Sequence, residues 1–508
     1  MGNTYSIAKT SLSRVFLIEG RAGPANKPDY QSCMRMMSPS QSFGDIERVE
    51  VPDPDNYDKF IEAAQIRGAT ERVTTSLEGR YALELVSTLL KLAKIGCALD
   101  LQLHLGLCTD PSDFNTFKKA VILENATITN WSADDLGALQ SDDNAAVNET
   151  AEISAEEVYE VVPLTIQSVA GSVVTNEVID TVFCDDISCG ECEYTSDGCQ
   201  RVFNITKSAG GSPGTPADVV YSIDGMSSWY AHDIDSLGIA EDPSAADCIG
   251  SYLVVVSNAS GSLHYALLSE FDGVTDPDFA EVDTGFVTGG EPNDIYTAGR
   301  YAFIVGDNGY VYGTSDPTAG VDVLDPGSAT SDDLLRVHAL DSEFAVAVGD
   351  NGAVIWTENG AIWGAVPVRP VGIGINLTAV FVKSETEWWV GSSDGHVYYT
   401  KNKGTTWTEK TFPGSGLVGS VVRDIVFVTD SVGYIAHTVS HLALGDQGRI
   451  LRTYDGGYSW NVLPEGSQVI PANDRINRIA VCWDANLFVA GGLADDGADG
   501  IIVIGQPA

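Results

Sequence analysis

The residues best suited to chemistry are four cysteines near the middle of the chain. They fall within 16 residues around a central C-x-x-C pair: Cys184, Cys189, Cys192 and Cys199. Four thiolates at this spacing can bind zinc tetrahedrally, and the same residues can form two disulfides or stay free. Acidic neighbours raise thiol pKa values, which argues against a redox-active pair. We therefore predict a zinc site or two disulfides here. The other five cysteines, Cys248 among them, are predicted to be buried small hydrophobes.

Charge limits the classes of partner. The chain has 71 acidic and 28 basic residues, a formal net charge of −43 at pH 7, and residues 120–200 hold 17 acids and no Lys or Arg. Such a charge repels phosphate backbones and anionic membranes. The N-terminus lacks the apolar core of a signal peptide, and no run of about 20 apolar residues occurs. We expect synthesis in a cytoplasm, with neither tight nucleic-acid binding nor membrane binding.

N-terminal to the cysteines, residues 1–180 are predicted to form a β-rich domain. Apolar residues recur at helical spacing over Arg80–Ile95, whereas Leu99–Leu107 alternates with polar residues as a half-buried strand does. Further strands are predicted at Ala120–Trp131 and Ala151–Pro163. This order predicts a β-sandwich or barrel with one packed helix. The cysteine-rich segment 181–200 then forms the junction to a second domain.

Residues 201–508 repeat themselves. A Val-Gly-x-x-Gly unit recurs so that Gly306, Gly349, Gly391 and Gly445 stand 43, 42 and 54 residues apart. A period of about 40–50 residues with four short strands is typical of a propeller blade. Blades are predicted to start near Gln200, Ala246, Asp294, Leu334, Asn376, Val421 and Asn477. The sequence favours seven blades and leaves six or eight open. The last strand should close the ring near Arg201–Thr206.

A second repeated unit is a hairpin of the form Ser/Thr-x-Asp-x-Gly-x-Ser/Thr-Trp. Thr453 to Trp460 matches it fully, and looser copies run from Ser222 to Trp229, Thr357 to Trp363 and Thr400 to Trp407. The region therefore resembles the Asp-box propellers, a group that includes sialidases and photosystem-assembly propellers. In the hairpin an Asp or Asn side chain bonds backbone amides, glycine supplies positive φ, and Trp fills a gap between blades. The box is structural and implies no catalysis.

Sialidase chemistry is disfavoured by the arginines. Such enzymes need three arginines around a carboxylate, a Tyr nucleophile with a paired Glu, and an acidic proton donor. The repeat region is poor in arginine and has no Arg-Ile-Pro motif near the first blade. No Walker loop, H-E-x-x-H motif or nucleophile triad appears either. We predict a protein that is not an enzyme and needs no cofactor, with zinc at the cysteines as the one exception.

The N-terminal part is similar to the tail tube proteins of tailed bacteriophages. The similarity lies in the order of hairpin strands, the helix Arg80–Ile95, the strand Leu99–Leu107 and the segment 117–164. It implies subunits that stack as homo-oligomeric rings with other tail proteins and let DNA pass without tight binding.

Two main functions follow from these patterns. The first is a virion structural protein, assembled in the host cytoplasm, whose surface propeller meets a host glycan or protein. The alternative is a propeller that binds a protein partner as an assembly factor. A carbohydrate-binding propeller is a weaker alternative.

Overall fold

The structure is a computed structural model of the 508-residue chain. It describes residues 13–18, 29–36, 46–53, 56–67, 73–80, 99–105, 119–133, 148–169, 174, 176–184, 201–207, 218–233, 243–258, 261–282, 285–441, 445–463, 470, 474–481, 487–494 and 499–507. The chain is mainly β and divides into two compact units, Met1–Pro163 and Leu164–Ala508. Within the described ranges, no helix is long and apolar enough to cross a membrane.

The described strands of the first unit are β1 (Ser13–Ile18), β2 (Asp29–Met36), β3 (Ile46–Asp53), β4 (Asn56–Arg67), β5 (Val73–Arg80), β6 (Leu99–Leu105), β7 (Lys119–Ala133), β8 (Asn148–Ala155) and β9 (Glu157–Val161). Antiparallel pairs run from β6 through β1, β2, β5, β8 and β7 and return to β6. A ring of pairs closed in this way is a barrel. Strand β9 continues β8 along β7, and β3 pairs with β4 as a separate hairpin. The predicted helix Arg80–Ile95 lies outside the described residues, except Arg80 at the end of β5.

Strand β6 departs from its predicted half-buried character. Leu101 and Leu103 enter the barrel core as the alternation predicts, but Gln102 and His104 on the opposite face are also fully buried. The two polar side chains meet each other, with His104 Nε2 3.1 Å from Gln102 Oε1. Mutual hydrogen bonding lets polar side chains occupy a buried face. The prediction that this face is open to solvent is therefore wrong.

The second unit contains four-stranded antiparallel sheets, seven of them within the described ranges, which we number in chain order. Sheet 1 is β11 (Val178–Phe183), β12 (Val202–Thr206), β13 (Asp218–Ser222) and β14 (Tyr230–Asp233). Sheet 2 is β15 (Pro243–Ile249), β16 (Tyr252–Ser257), β17 (Ser262–Leu267) and β18 (Ala280–Val282). Sheet 3 is β19 (Pro292–Ala298), β20 (Tyr301–Gly306), β21 (Tyr310–Thr314) and β22 (Asp322–Pro326). Sheet 4 is β23 (Leu334–Ala339), β24 (Ala345–Gly349), β25 (Val354–Thr357) and β26 (Gly364–Ala365).

The remaining sheets continue the same pattern. Sheet 5 is β27 (Leu377–Val382), β28 (Trp388–Ser392), β29 (Val397–Thr400) and β30 (Thr408–Lys410). Sheet 6 is β31 (Val421–Phe427), β32 (Gly433–His441), β33 (Gly445–Thr453) and β34 (Asn461–Leu463). Sheet 7 is β35 (Arg475–Val481), β36 (Phe488–Leu493), β37 (Gly500–Pro507) and β10 (Leu164–Ser168). Three-residue 3-10 turns stand at Leu268–Glu270, Asp307–Gly309, Pro317–Ala319 and Asp350–Gly352.

The first strand of each sheet contacts the first strand of the next, and β35 contacts β11, so the contacts return to their start. Apolar side chains fill the space between neighbouring sheets. Trp389 of sheet 5 and Trp460 of sheet 6, for example, share one buried cluster. Strands that lie between two neighbours are buried on both faces, which explains apolar runs such as Ala345–Gly349. This arrangement of sheets around an axis is that of a β-propeller.

The ring closes through a strand that the sequence assigned to the first domain. Leu164–Ser168 pairs antiparallel with Gly500–Pro507 and supplies the outermost strand of sheet 7. The predicted boundaries at 180 and 200 are therefore wrong, and the division lies between Pro163 and Leu164. The predicted meeting of the last strands with Arg201–Thr206 is confirmed, because Val202 shares one buried cluster with Val489 and Ile502 of sheet 7. Sheet 1 starts at Val178 rather than Gln200, whereas the other six predicted starts lie within three residues of the observed first strands.

Charged side chains join the first strands at the centre of the ring. Arg478 of sheet 7 bonds Asp294 of sheet 3, and its Nε lies 3.3 Å from Asp180 Oδ1 of sheet 1. Because sheets 3 and 7 are not neighbours, this contact spans the axis. Burial acts to lower the pKa of Arg478, but the surrounding carboxylates outweigh it and raise that pKa, so the guanidinium stays charged.

Carboxylates on four of the first strands also hold a sheet to its successor. Asp180 Oδ2 accepts a hydrogen bond from the Ala246 backbone N–H of sheet 2 at 2.9 Å. The same bond recurs from Asp247 to sheet 3, from Asp294 to sheet 4 and from Asp424 to sheet 7. Buried carboxylates bonded in this way are structural, because their oxygens are already engaged.

Candidate functional site: the connecting face of the propeller

One edge of the sheets gathers two kinds of loop. In each sheet the turn between the second and third strands and the connection into the next sheet leave from the same edge, because neighbouring strands alternate in direction. We call this edge the connecting face. The opposite edge, the hairpin face, carries the turns that join first to second and third to fourth strands. Surface loops vary in sequence more than the strands that they connect, and they carry binding residues more often.

Of the large apolar side chains exposed on the connecting face, we call three the apolar patch: Ile373, Leu417 and Val418. Ile373 lies on the connection from sheet 4 to sheet 5, and the other two lie on the connection from sheet 5 to sheet 6. Their exposed fractions are 87% for Ile373, 49% for Leu417 and 87% for Val418. Single exposed apolar residues are ordinary, but three around one turn indicate a contact surface.

Both connections bond to the same turn of sheet 5, residues 393–396. The Ser393 backbone N–H donates to Asn376 O at 2.8 Å on one side of this turn. On the other side the Gly416 backbone N–H donates to Gly395 O at 3.1 Å. The connections that carry the patch residues therefore flank one turn, although 44 residues separate Ile373 from Leu417.

The glycine of that turn is required by close packing. Gly395 has φ +79°, and a Cβ there would lie 1.9 Å from Ser420 Oγ. Ser420 Oγ in turn donates to Leu417 O at 2.6 Å. These contacts fix the loop that presents Leu417 and Val418. The exposure of the patch is thus a property of an ordered loop, which keeps the entropic cost of binding low.

Carboxylates lie beside the patch on the same face, and we call the following four the acidic arc: Asp307, Asp332, Asp333 and Asp350. The link to the patch runs through Asn351, whose Oδ1 accepts the Gly374 backbone N–H at 3.1 Å and whose Nδ2 donates to Asp332 Oδ1 at 2.9 Å. Arg369 also contacts Asp332, at 2.9 Å. One guanidinium therefore faces a group of four carboxylates.

Burial and, after it, repulsion between neighbouring carboxylates raise the pKa values of Asp350 and Asp307 in the arc. Burial, followed by the neighbouring carboxylates, raises the pKa of Asp350. Burial also raises the pKa of Asp307, with further contributions from Asp333 and Glu291. Burial acts to raise the pKa of Asp332 as well, but hydrogen bonds from Asn351 and Arg369 lower it overall. The arc thus presents a negative potential. Arg369 neutralises part of it, at Asp332.

The predicted cysteine site is not formed as the sequence suggested. Cys184 is joined by a disulfide to Cys248, with a Cα–Cα distance of 5.8 Å, so it is neither a zinc ligand nor paired within the cluster. Cys189, Cys192 and Cys199 lie outside the described residues. Spacing along the chain misled here because neighbouring first strands bring Cys184 and Cys248 together from 64 residues apart. Over the described ranges, no group of three or more His, Cys, Asp or Glu residues is arranged to hold a metal.

The repeated hairpins lie on the hairpin face and have the expected internal bonds. In the full copy, Asp455 Oδ1 accepts the Ser459 backbone N–H at 2.8 Å, and Gly457 has φ +89°. A Cβ on Gly457 would lie 2.4 Å from Trp389 of the neighbouring sheet. Trp460 is 3% exposed and packs between sheets 5 and 6. These turns position strands and offer no free reactive group.

Sequence reasoning missed both the patch and the central charges. The charges had a signal: Asp180, Asp294 and Asp424 are each the one carboxylate of their strand, at its third or fourth residue. A solitary carboxylate at a repeated position in buried strands indicates a shared structural bond. The patch had no comparable signal, since Ile373 and Leu417 are ordinary residues in glycine-rich loops.

Comparisons with known proteins give similarity of fold. No family model and no curated protein matches the chain. A structure titled "YCF48 bound to D1 peptide" is 14% identical with TM-score 0.48 and covers 68% of this chain and 96% of its own. YCF48 from Cyanidioschyzon merolae is 15% identical with TM-score 0.49, covering 67% and 98%. The WD40 propeller domain of Doa1 is 10% identical with TM-score 0.47, covering 68% and 98%. The strand pairing within the second unit assigns the propeller.

Proposed function

We propose that this chain is a non-catalytic protein-binding scaffold, a closed seven-bladed propeller that docks a partner protein on its connecting face. The apolar patch carries the proposal. Ile373, Leu417 and Val418 are held in solvent by ordered loops, and burying each against a partner contributes about 1.5–3 kcal/mol. A central apolar cluster with a polar surround is the usual anatomy of a protein interface.

The assignment of a scaffold rather than an enzyme rests on how the titratable groups are used. The buried carboxylates at the ring centre accept hydrogen bonds from the next sheet and pair with Arg478. A catalytic carboxylate needs an oxygen free for substrate within hydrogen-bond reach. Groups bonded in this way serve to hold the blades together.

The experiment that tests the proposal is a selection of random 12-residue peptides against the immobilised full-length chain. Enriched peptides are synthesised with a fluorophore, and their affinities are measured for the wild type and two variants. The patch variant is I373D/V418D. Its control is I362D, which changes an apolar residue, 73% exposed, on the hairpin face. We expect affinity to fall at least tenfold in the patch variant and to stay unchanged in I362D. Equal binding to all three proteins would refute the proposal.

A second candidate function, a subunit of a virion tail tube, is supported by the barrel of the first unit. The pairing ring β6–β1–β2–β5–β8–β7 fits the β-sandwich or barrel that the sequence predicts for the tail-tube-like domain. Negative-stain images of the purified full chain test this candidate. Stacked rings or tubes would support it, whereas single particles at high concentration would count against it.

A further inference from the structure

We infer that the partner segment is a basic one, in which lysine or arginine residues flank one side of an apolar anchor. The inference rests on the proposed function and specifies its partner. The apolar anchor would cover Ile373, Leu417 and Val418, and the cations would lie on the acidic arc. The observation behind it is that the two surfaces adjoin on the connecting face.

The two surfaces adjoin through hydrogen-bonded contacts. Asn351 accepts from the Gly374 backbone N–H, one residue from Ile373, and directly follows Asp350 in the chain. Farther from the patch, the turn Asp307–Gly309 is bonded to the arc in the same way, because the Asn308 backbone N–H donates to Asp333 Oδ1 at 2.8 Å. A segment that covers Ile373 can therefore reach Asp350 without leaving the surface.

The arc is short of positive partners. Asp350 accepts no side-chain hydrogen bond from the described residues, and the pKa values of Asp350 and Asp307 are raised, first by burial and then by neighbouring carboxylates. Arg369 is bound to Asp332 and to Asn351 O. An incoming ammonium or guanidinium would lower the energy of this arrangement and steer the encounter.

The geometry also gives the segment a direction. The arc belongs to the turns and connections of sheets 3 and 4, while the patch surrounds a turn of sheet 5. Cationic residues should therefore precede or follow the apolar ones as a block. Alternation of basic and apolar residues would place cations on the patch. Nucleic acids and anionic lipids are disfavoured as occupants by the net charge of −43.

The test uses the peptides enriched on the full-length chain. The inference predicts an excess of Lys and Arg over the starting library, grouped on one side of apolar positions. It predicts that D350K weakens binding about tenfold, through a reversed charge, and that D278K has no effect. Asp278 is the matched control because it is exposed on the hairpin face. Raising NaCl from 50 to 300 mM should weaken binding several-fold.

Three outcomes separate failure of the inference from failure of the proposed function. Peptides that need Ile373 and Val418 but show no basic excess and no response to D350K or salt would overturn the inference and leave the docking face intact. Peptides indifferent to the patch variant would overturn both. Concentration-dependent dimerisation of the wild type that I373D/V418D abolishes would identify the occupant as a second copy of this chain, which also overturns the inference.

Discussion

Replacing His338 should change how the stability of the propeller depends on pH. His338 is buried on β23 between the rings of Tyr296 and Phe381, at centroid distances of 4.2 and 4.3 Å. Burial lowers its pKa from 6.5 to about 3. The folded state therefore keeps this imidazole neutral, while the unfolded chain takes up a proton as the pH falls below 6.5. Stability from this residue is present at pH 8 and is progressively lost between pH 6.5 and 3.

The size of the effect follows from the two pKa values. At pH 5 the unfolded imidazole is 1.5 pH units below its pKa, so protonation favours unfolding about 33-fold, or about 2 kcal/mol. His338→Phe removes this term. It also removes a weak hydrogen bond, in which the Val382 backbone N–H donates to Nδ1 at 3.4 Å. That loss is the same at every pH, so the difference between two pH values isolates the proton.

The assay is urea unfolding of the full chain at pH 8 and pH 5, followed by tryptophan fluorescence. The wild type should lose about 2 kcal/mol more than His338→Phe between the two pH values. Phe381→Leu is the matched control, because it loosens the same cluster without a titrating group and should keep the wild-type pH dependence. If His338→Phe loses as much stability as the wild type on acidification, His338 is not a buried neutral imidazole. Its packing between Tyr296 and Phe381 would then be contradicted.

Other parts of the ring give further expected outcomes. Cys248→Ser opens the disulfide to Cys184 and, for a 64-residue separation, should cost about 4 kcal/mol in urea unfolding, with no further loss on adding a reductant. Arg478→Met leaves buried carboxylates unpaired and should lower the free energy of unfolding by about 3–5 kcal/mol in the same assay. An unchanged free energy of unfolding would show that the ion cluster does not stabilise the ring. Residues 164–508 should stay soluble in size-exclusion chromatography, whereas 178–508, which lacks β10, should aggregate through the exposed edge of β37; equal solubility would contradict closure by β10.

The repeats made most of the propeller predictable. Repeated glycine turns in sheets 3 to 6, together with the strand pattern, located six of the seven first strands to within three residues. The failure fell on the first sheet, where Val178 to Phe183 stand before the cysteine segment and carry no repeated turn. Ring closure by Leu164–Ser168 pairs strands more than 300 residues apart, and local pattern carries no information on such a pairing.

The candidate site was far less predictable. The disulfide and the apolar patch both arise from contacts between neighbouring sheets, which place distant residues side by side. Cys184 meets Cys248 for this reason, and the connection that carries Ile373 bonds the turn that also bonds the loop of Leu417.

The most direct test of the binding face is hydrogen–deuterium exchange of the full chain with and without an enriched peptide. We expect slower exchange on binding in residues 372–376, 393–396 and 414–420, with the exchange of the hairpin-face turn 401–407 unchanged. Slower exchange in residues 401–407 would contradict docking on the connecting face. Unchanged exchange over the whole connecting face with the peptide bound would contradict it as well.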